Sequence, residues 1–108
     1  MPQLIIRGME KNLIKKMSKQ LVDELTTIIG CPRDYFTIEA VNSTFVYDGE
    51  EVSGSPIVQV NWFDRGQSVQ DQAAAVIDRN IRALGHDQVE IYFITLSEEK
   101  YYENGQHY

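Results

Sequence analysis

Apolar residues recur at intervals of three and four along the first third of the chain. This stretch follows a short β-type run, Leu4 to Arg7, and lysines lie between its apolar positions. Such spacing places the apolar side chains on one face of a helix. The pattern stops at Gly30 and Pro32, because glycine adopts the left-handed conformation of a helix C-cap and proline cannot continue a helix. The predicted apolar face consists of Leu13, Ile14, Met17, Leu21, Leu25, Ile28 and Ile29.

Strict alternation of apolar and polar residues follows this helix. It begins at Phe36, and we predict one long strand from Phe36 to Tyr47 that ends at the turn pair Asp48-Gly49. The acidic stretch from Glu50 to Ser55 contains glycine and serine and is predicted to be a loop.

Pro56 begins a second cycle of strand and helix. Every second residue from Val58 to Trp62 is apolar, which predicts a strand. Ser68 with Asp71 three residues later predicts a capping box at the start of the next helix, and Gly85 is its predicted C-cap. The apolar face of this second helix is predicted from Val69, Ala73, Val76, Ile77, Ile81 and Leu84.

The chain closes with one more strand and a polar tail. The strand is predicted from Val89 to Leu96, and residues 100–108 are rich in tyrosine. This tail is predicted to be either a small edge element or disordered.

The two cycles follow one plan at nearly equal spacing. Pro2 precedes Phe36 by 34 residues, and Pro56 precedes Val89 by 33 residues. The order β-α-β-β-α-β indicates an α+β fold with a four-stranded sheet and two helices on one face, although the ferredoxin-like fold has the same order. This fold and the ferredoxin-like fold differ in what covers the other face of the sheet. The predicted boundaries are residues 1–108 for a single domain, 2–47 for the first repeat, 56–96 for the second repeat and 97–108 for the tail.

Composition limits the function classes. The chain has 108 residues, 43% of them hydrophobic and 24% charged, which is typical of one globular domain. A domain of this size buries roughly 65% of its unfolded surface, so association would add useful burial. Sixteen acidic against ten basic residues give a net charge of −6, which opposes binding to nucleic acid. No long apolar stretch predicts a membrane span, and no signal-peptide layout is present, so we expect a cytoplasmic protein.

The sequence offers little for metal or cofactor chemistry. His86 and His107 have no histidine or cysteine partner at metal-ligand spacing, and Cys31 is the single cysteine. No glycine-rich phosphate loop is present. We therefore expect neither a metal nor a cofactor.

Several motifs together resemble the tautomerase superfamily, in particular its two-repeat type that is like macrophage migration inhibitory factor. The resemblance spans nearly the whole chain. Two further stretches resemble a functionally uncharacterised bacterial branch: Trp62-Phe-Asp-Arg-Gly-Gln67 and Glu103-Asn-Gly-Gln-His107. The motifs that carry the main resemblance are the Met1-Pro2 start that runs into a strand, the helix that ends at Gly30, Pro32-Arg-Asp-Tyr-Phe-Thr-Ile, Pro56 before the third strand, and Asp87-Gln-Val-Glu-Ile-Tyr-Phe.

The resemblance implies a homotrimer in which three sheets form a central barrel, with helices outside and active sites between neighbouring subunits. It also implies that Pro2 is a general base that moves a proton alpha to a carbonyl. Pro2 has this role only after Met1 is removed, since only then is its nitrogen a free secondary amine. A buried amine favours its neutral form and accepts a proton more readily. The alternative interpretation is that Pro2 simply begins a strand.

The match to the superfamily is incomplete around the expected pocket. Some members have a lysine at the position of Cys31, and a tyrosine and an asparagine at those of Glu90 and Tyr92. These departures leave the substrate open.

A small keto acid needs a cation for its carboxylate, and the planar fork of arginine suits this role. We rank Arg65 first, because it ends the third strand beside Trp62 and Phe63, although it could instead pair with Asp64 or Asp71. Arg7 ranks second. Arg33 is the third candidate.

The leading hypothesis is a cofactor-independent tautomerase acting on a small carbonyl-containing acid. Pro2 is its predicted base and Arg65, or else Arg7, its anion anchor. Trp62, Phe63 and Tyr92 are the predicted pocket walls. The main alternative is a non-catalytic module that binds a small molecule or a protein. A third possibility is an amine nucleophile in decarboxylation or dehalogenation.

Overall fold

Two helices pack against one face of a four-stranded sheet in the computed structural model, which describes residues 2–108. The predicted α+β fold class is confirmed. The strands are β1 (Gln3–Arg7), β2 (Thr37–Ala40), β3 (Phe45–Tyr47), β4 (Glu50–Val52), β5 (Ile57–Trp62), β6 (Glu90–Thr95), β7 (Tyr102–Glu103) and β8 (Gln106–His107). The helices are α1 (Lys11–Ile29) and α2 (Gln67–Arg82), with short 3₁₀ turns at Arg33–Tyr35 and Glu98–Lys100.

The sheet shows the duplicated plan directly. Its strand order is β2-β1-β5-β6, with parallel pairs β1–β2 and β5–β6 and an antiparallel pair β1–β5 in the centre. The amide of Thr37 donates to the carbonyl oxygen of Pro2 (3.2 Å), and the amide of Glu90 donates to that of Pro56 (3.0 Å). Pro2 and Pro56 therefore occupy equivalent positions in the two β-α-β units.

The core lies between the sheet and the helices. In β1 and β5 every second side chain faces the helices, and these side chains are at most 2% exposed. Each buried aliphatic side chain contributes about 1.5–3 kcal/mol relative to an exposed one, so this layer is the main stabilising contact. Its central members are Leu4, Ile6, Val58, Val60, Trp62, Leu21, Leu25, Ile77 and Ile81.

The helix ends agree with the sequence for α1 and differ for α2. Gly30 has φ 80° and its amide donates to the carbonyl of Thr26 (2.9 Å), as predicted. The capping box of Ser68 and Asp71 is wrong: α2 begins one residue before Ser68, and its N-cap is Gly66 without a side-chain cap.

The C-terminal end of α2 also differs from its prediction. The helix ends at Arg82, and its C-cap is Ala83 in the right-handed conformation. Gly85 (φ 100°) instead closes the turn that follows, where its amide donates to the carbonyl of Arg82 (3.0 Å).

The predicted long strand over 36–47 is wrong. β2 ends at Ala40, opposite Ile6. The amide of Val41 makes the last hydrogen bond to β1, at the carbonyl of Ile6 (2.9 Å), one residue before β1 itself ends at Arg7. The chain then pairs with itself: β3 and β4 form a hairpin around Asp48-Gly49, both at positive φ (53° and 79°). That geometry is typical of a two-residue type I′ turn. The predicted loop from Glu50 onward therefore starts with a strand.

The tail forms a second hairpin rather than a strand of the main sheet. β7 and β8 pair antiparallel around Asn104-Gly105, again at positive φ (53° and 84°). Each β-α-β unit is thus followed by a hairpin with the same turn chemistry. Across residues 2–108, neither helix has the length and apolar character that a membrane crossing requires.

Candidate active site

Pro2 lies just before β1, and its side chain is fully buried. Gln3 stands opposite Asn61 in the antiparallel pair of β1 and β5. Extending this register by one residue places Pro2 opposite Trp62. This end of the sheet, which we call the Pro2 end, therefore joins the start of β1 to the carboxyl end of β5.

Trp62 leaves one buried donor free at the Pro2 end. Its side chain is completely buried and contacts the ring of Phe93, with centroids 4.9 Å apart. Within the part of the chain that the structure describes, its indole Nε1–H has no hydrogen-bond acceptor. A buried donor without a partner costs about 1–3 kcal/mol. This N–H is therefore an unsatisfied donor enclosed by the core.

Arg65 provides a cation beside that donor. Its guanidinium carbon lies 5.8 Å from the centroid of the Trp62 ring, a cation–π distance. Its Nη1 donates to the carbonyl oxygen of Phe63 (2.5 Å). Neither expected partner pairs with it: Asp64 accepts from the Gly66 amide (2.9 Å), and Asp71 accepts from Gln67 (2.8 Å).

The four salt bridges found within residues 2–108 leave Arg65 out. Its positive charge thus remains free for an anion.

The tail folds back over the Pro2 end. Phe63, Tyr101 and Tyr108 form an aromatic triad, with ring centroids 5.3–5.6 Å apart. The Gln3 side chain donates through Nε2 to the hydroxyl oxygen of Tyr101 (2.9 Å). The sequence predicted only a small edge element or disorder for this tail, and it did not single out Gln3. The tyrosine-rich tail was the available signal, but its docking position was not readable from local pattern.

Tyr108 closes the outer side of the triad. Its hydroxyl donates to Oε2 of Glu103 (3.3 Å). Desolvation raises the pKa of Tyr108, and the negative charge of Glu103 raises it further. The phenol therefore stays neutral at ordinary pH.

Tyr92 lies on the open face of the sheet, the face opposite the helices. It stands opposite Gln59 in β5, and its hydroxyl donates to Gln59 Oε1 (2.7 Å). Gln59 Nε2 donates to Asn61 Oδ1 (3.0 Å), and Asn61 Nδ2 donates to Gln3 Oε1 (3.3 Å). Tyr92 is therefore separated from Pro2 within one chain but connected to the Pro2 end through these side-chain amides.

The other two arginines lie elsewhere. Arg7 stands opposite Ile57 at the far end of β1, four residues beyond Gln3, which is about 13 Å along a strand. Arg33 lies in a 3₁₀ turn and pairs with Asp23 of α1. Within a single chain, only Arg65 of the three candidates joins the Pro2 end.

The remaining ionisable groups do not assemble a metal site. Among residues 2–108, no three side chains of histidine, cysteine, aspartate or glutamate cluster as ligands would. Cys31 is buried after α1.

Solved structures of low identity share this fold. A macrophage migration inhibitory factor-like protein from Entamoeba histolytica matches with a TM-score of 0.65 at 14% identity, over 99% of this chain and 98% of that one. A fused 4-OT described as an asymmetric trimer matches with a TM-score of 0.82 at 14% identity, over 97% and 94%. The chain thus has the tautomerase-superfamily fold expected from its motifs. No curated protein matches this chain.

Family membership follows from two stronger matches. A crystal structure of a domain of unknown function (DUF1904) from Sebaldella termitidis is 39% identical over 100% of both chains, with a TM-score of 0.95. The family model described as Domain of unknown function (DUF1904) matches residues 1–107. The chain therefore belongs to the DUF1904 family, an uncharacterised branch with the tautomerase fold.

Proposed function

We propose that this protein is a cofactor-independent tautomerase that interconverts keto and enol forms of a small carbonyl-containing acid. Pro2 is the general base after removal of Met1, and Arg65 holds the substrate carboxylate. One observation carries the proposal: Pro2 directly precedes β1, beside the end of β5, and Arg65, which follows β5, pairs with no carboxylate among residues 2–108. A base and an anion site are what proton transfer beside the carbonyl of a small acid requires.

The proposed reaction uses the terminal amine in both directions. The nitrogen of Pro2 takes a proton from the carbon beside the carbonyl, and the C–H electron pair moves toward the carbonyl to give an enolate. The resulting ammonium returns a proton in the reverse direction. Burial disfavours the charged amine, so it favours the form that accepts a proton. Arg65 binds the carboxylate after releasing the Phe63 carbonyl, which requires only a rotation of its own side chain.

Trp62 and Phe63 are the proposed walls of this pocket. Trp62 carries the cation–π contact with Arg65, and Phe63 belongs to the aromatic triad. Tyr92 is also a proposed wall, but in this chain it lies on the open face and away from Pro2. It would line a pocket only where another subunit brings its open face toward a Pro2 end.

We also propose a homotrimer, because the open face of the sheet exposes apolar side chains that neighbouring subunits would cover. The open face carries Ile5 and Ile57 together with Tyr92 and Ile94, which are 43% and 41% exposed. Covering this face buries apolar surface that a lone chain leaves in water. A neighbouring subunit is then also the source from which Arg7 would reach a Pro2 end. Light scattering of the purified protein should give three times the chain mass, and a monomer would contradict the assembly.

A binding module without chemistry is the second candidate, and one observation favours it. Pro2 and Pro56 are both fully buried, and each accepts one hydrogen bond from the equivalent strand. A structural role as the first residue of a strand therefore explains Pro2 as well as it explains Pro56.

One experiment with a matched control distinguishes the tautomerase from the binding module. Untagged protein is weighed by mass spectrometry to establish that Met1 is gone, and ketonisation of phenylpyruvate enol or 2-hydroxymuconate is measured. Pro2→Ala should lower the rate by at least about 100-fold, whereas Pro56→Ala should leave it within a few-fold. Equal rates for Pro2→Ala and the unchanged protein would exclude Pro2 as the base. An intact Met1 in the native protein would favour the binding module.

A further inference from the structure

A chain of side-chain hydrogen bonds crosses the open face of the sheet and ends at Tyr101. It starts at the Tyr92 hydroxyl, passes through Gln59, Asn61 and Gln3, and reaches the Tyr101 oxygen, with distances of 2.7, 3.0, 3.3 and 2.9 Å. Every donor in this chain points the same way. Hydrogen bonds aligned in this manner polarise one another. Tyr101 is the last acceptor in this series of hydrogen bonds, and it donates its own proton to none of the other members.

The position of Tyr101 brings this free proton to the candidate site. Gln3, its donor, directly follows Pro2 in the sequence. The Tyr101 ring is half-buried and packs edge-on against Phe63 and Tyr108, with centroid distances of 5.6 and 5.3 Å. These contacts fix the ring, and Gln3 fixes the hydroxyl. Among residues 2–108, no side chain or backbone group accepts the Tyr101 proton.

Two other phenols near this end are already committed. Tyr92 donates to Gln59, and Tyr108 donates to Glu103. Tyr35 and Tyr102 are more exposed, at 42% and 62%, and the ring of Tyr102 packs on His107 in the second hairpin. Tyr101 is thus the half-buried phenol that is held by the residue next to Pro2, and its proton remains to be donated.

We propose that Tyr101 is the catalytic acid that donates to the carbonyl oxygen of the substrate while Pro2 removes the neighbouring proton. This inference rests on the proposed function. As the C–H bond breaks, its electron pair forms the carbon–carbon double bond, and the carbonyl π pair moves to oxygen. The Tyr101 O–H stabilises or protonates that oxygen. In the reverse direction the enol proton returns to the Tyr101 phenolate, and the ammonium of Pro2 protonates carbon. When the enol leaves instead, the Pro2 ammonium passes its proton to the Tyr101 phenolate through solvent water, which restores both groups.

Gln3 is then a positioning residue. It donates to the Tyr101 oxygen, so the lone pair that faces β1 is occupied and the O–H is directed away from the sheet. It also connects Tyr101 to the aligned hydrogen bonds that start at Tyr92.

The decisive variant is Tyr101→Phe, because phenylalanine keeps the ring contacts with Phe63 and Tyr108. Loss of one preorganised donor typically lowers kcat by 100- to 1000-fold. We therefore expect kcat to fall by about 100-fold or more, with KM within about threefold and an unchanged melting temperature. Tyr102→Phe is the matched control and should leave kcat within about twofold.

A double-mutant cycle tests the role of Gln3. Gln3→Met removes the amide but adds no charge, and it should lower kcat by about tenfold while KM changes little. Once Tyr101 is phenylalanine, Gln3→Met should have no further effect, since both changes remove the same oriented proton. Additive losses would overturn the positioning role.

The outcomes also separate this inference from the proposed function. If Pro2→Ala abolishes ketonisation while Tyr101→Phe keeps a kcat within twofold of the unchanged protein, the tautomerase stands and the role of Tyr101 is overturned. If Pro2→Ala leaves the rate unchanged, the proposed function fails, and the role of Tyr101 fails with it.

Discussion

The two ends of the sheet have equivalent strands but differ in the side chains and loops around them. At the Pro2 end, β1 begins and β5 ends; at the other end, which we call the Pro56 end, β5 begins and β1 ends. Pro2 and Pro56 have the same burial and the same hydrogen bond. At the Pro56 end, a Cβ placed on Gly8, which follows β1, would lie 2.2 Å from the carbonyl oxygen of Ser55. Gly8 also borders a cavity of about 420 Å³ that the first hairpin lines.

The Pro2 end differs in its polar groups. A Cβ placed on Gly66, beyond the end of β5, would meet no atom within 4 Å. Within residues 2–108, the Trp62 indole N–H has no acceptor and Arg65 pairs with no carboxylate. The two repeats therefore supply equivalent strand ends, and polar groups without partners distinguish the Pro2 end.

The largest effect is expected from a matched pair of glycine substitutions. Both Gly8 and Gly66 have positive φ (80° and 87°), and the ψ of 160° at Gly66 lies in a region that only glycine adopts readily. Gly8→Ala also drives a methyl group into the Ser55 carbonyl, so it should destabilise the fold by about 3 kcal/mol or more. Gly66→Ala makes no such clash and should lose about 1–3 kcal/mol, the cost of the backbone conformation alone. Urea denaturation measures both, and equal losses would contradict the contrast between the two ends.

A second test concerns the free cation of the Pro2 end. Arg65→Gln should lower kcat/KM for a keto acid by about 30-fold, which corresponds to about 2 kcal/mol, the usual size of a hydrogen bond to a charged group. Arg33→Gln is the control, because Arg33 is paired with Asp23 and lies away from Pro2. Steady-state kinetics gives kcat/KM for both variants. A loss of equal size at Arg33 would show that general charge, rather than a local anion site, is responsible.

The two hairpins provide a third comparison. Tyr108 packs on Phe63 and Tyr101, whereas Tyr47 of the first hairpin is 67% exposed. Tyr108→Ala should cost about 1 kcal/mol, in line with the loss of aromatic pairs, and Tyr47→Ala should stay within about 0.5 kcal/mol. Thermal unfolding measures both. An equal loss at Tyr47 would mean that a neighbouring copy covers the first hairpin.

The smallest effect is expected from the contact that joins the helices of the two repeats, because the side chain of Arg79 is 58% exposed and water screens the pair. Glu24 of α1 accepts hydrogen bonds from Arg79 (2.5 Å) and Asn80 (3.0 Å) of α2. The hydrogen bonds from Arg79 and then Asn80 lower the pKa of Glu24 from 4.5 to about 2.

A carboxyl group whose pKa is lower in the folded state stabilises the fold above its unfolded pKa and loses that contribution as it becomes protonated. Stability from Glu24 should thus be complete above about pH 5 and decline as the pH falls from 4.5 to 2. Glu24→Gln should flatten this part of the stability curve, whereas Asp78→Asn, in an exposed pair within α2, should not. If the stability of Glu24→Gln declined between pH 4.5 and 2 as steeply as that of the unchanged protein, the assignment would be wrong.

Much of the fold was predictable because its signals are local. The spacing of apolar residues in α1 and the left-handed Gly30 depend only on neighbours within two helical turns. The alternation from Val58 to Trp62 likewise predicted which side chains face the helices. The capping box at Ser68 was also a local signal, but the turn of Asp64 and Gly66 began the helix first.

The candidate site was only partly predictable. Arg65, Trp62 and Phe63 are close in sequence and follow one strand, so their proximity could be inferred from a short segment. Arg7 was named as the second-ranked cation and Tyr92 as a pocket wall, and in one chain both lie away from Pro2.

The sequence alone determined the strand-helix-strand order of the two repeats, the duplication and the family resemblance, because these depend on periodicity and on short motifs. Only the tertiary structure decided that the chain after β2 turns away as a hairpin, since that outcome depends on where β1 stops. It also decided that Tyr101 reaches Gln3, a contact between residues 98 positions apart. No local pattern encodes such a contact, because it is set by how the whole sheet brings the first strand and the tail to the same end.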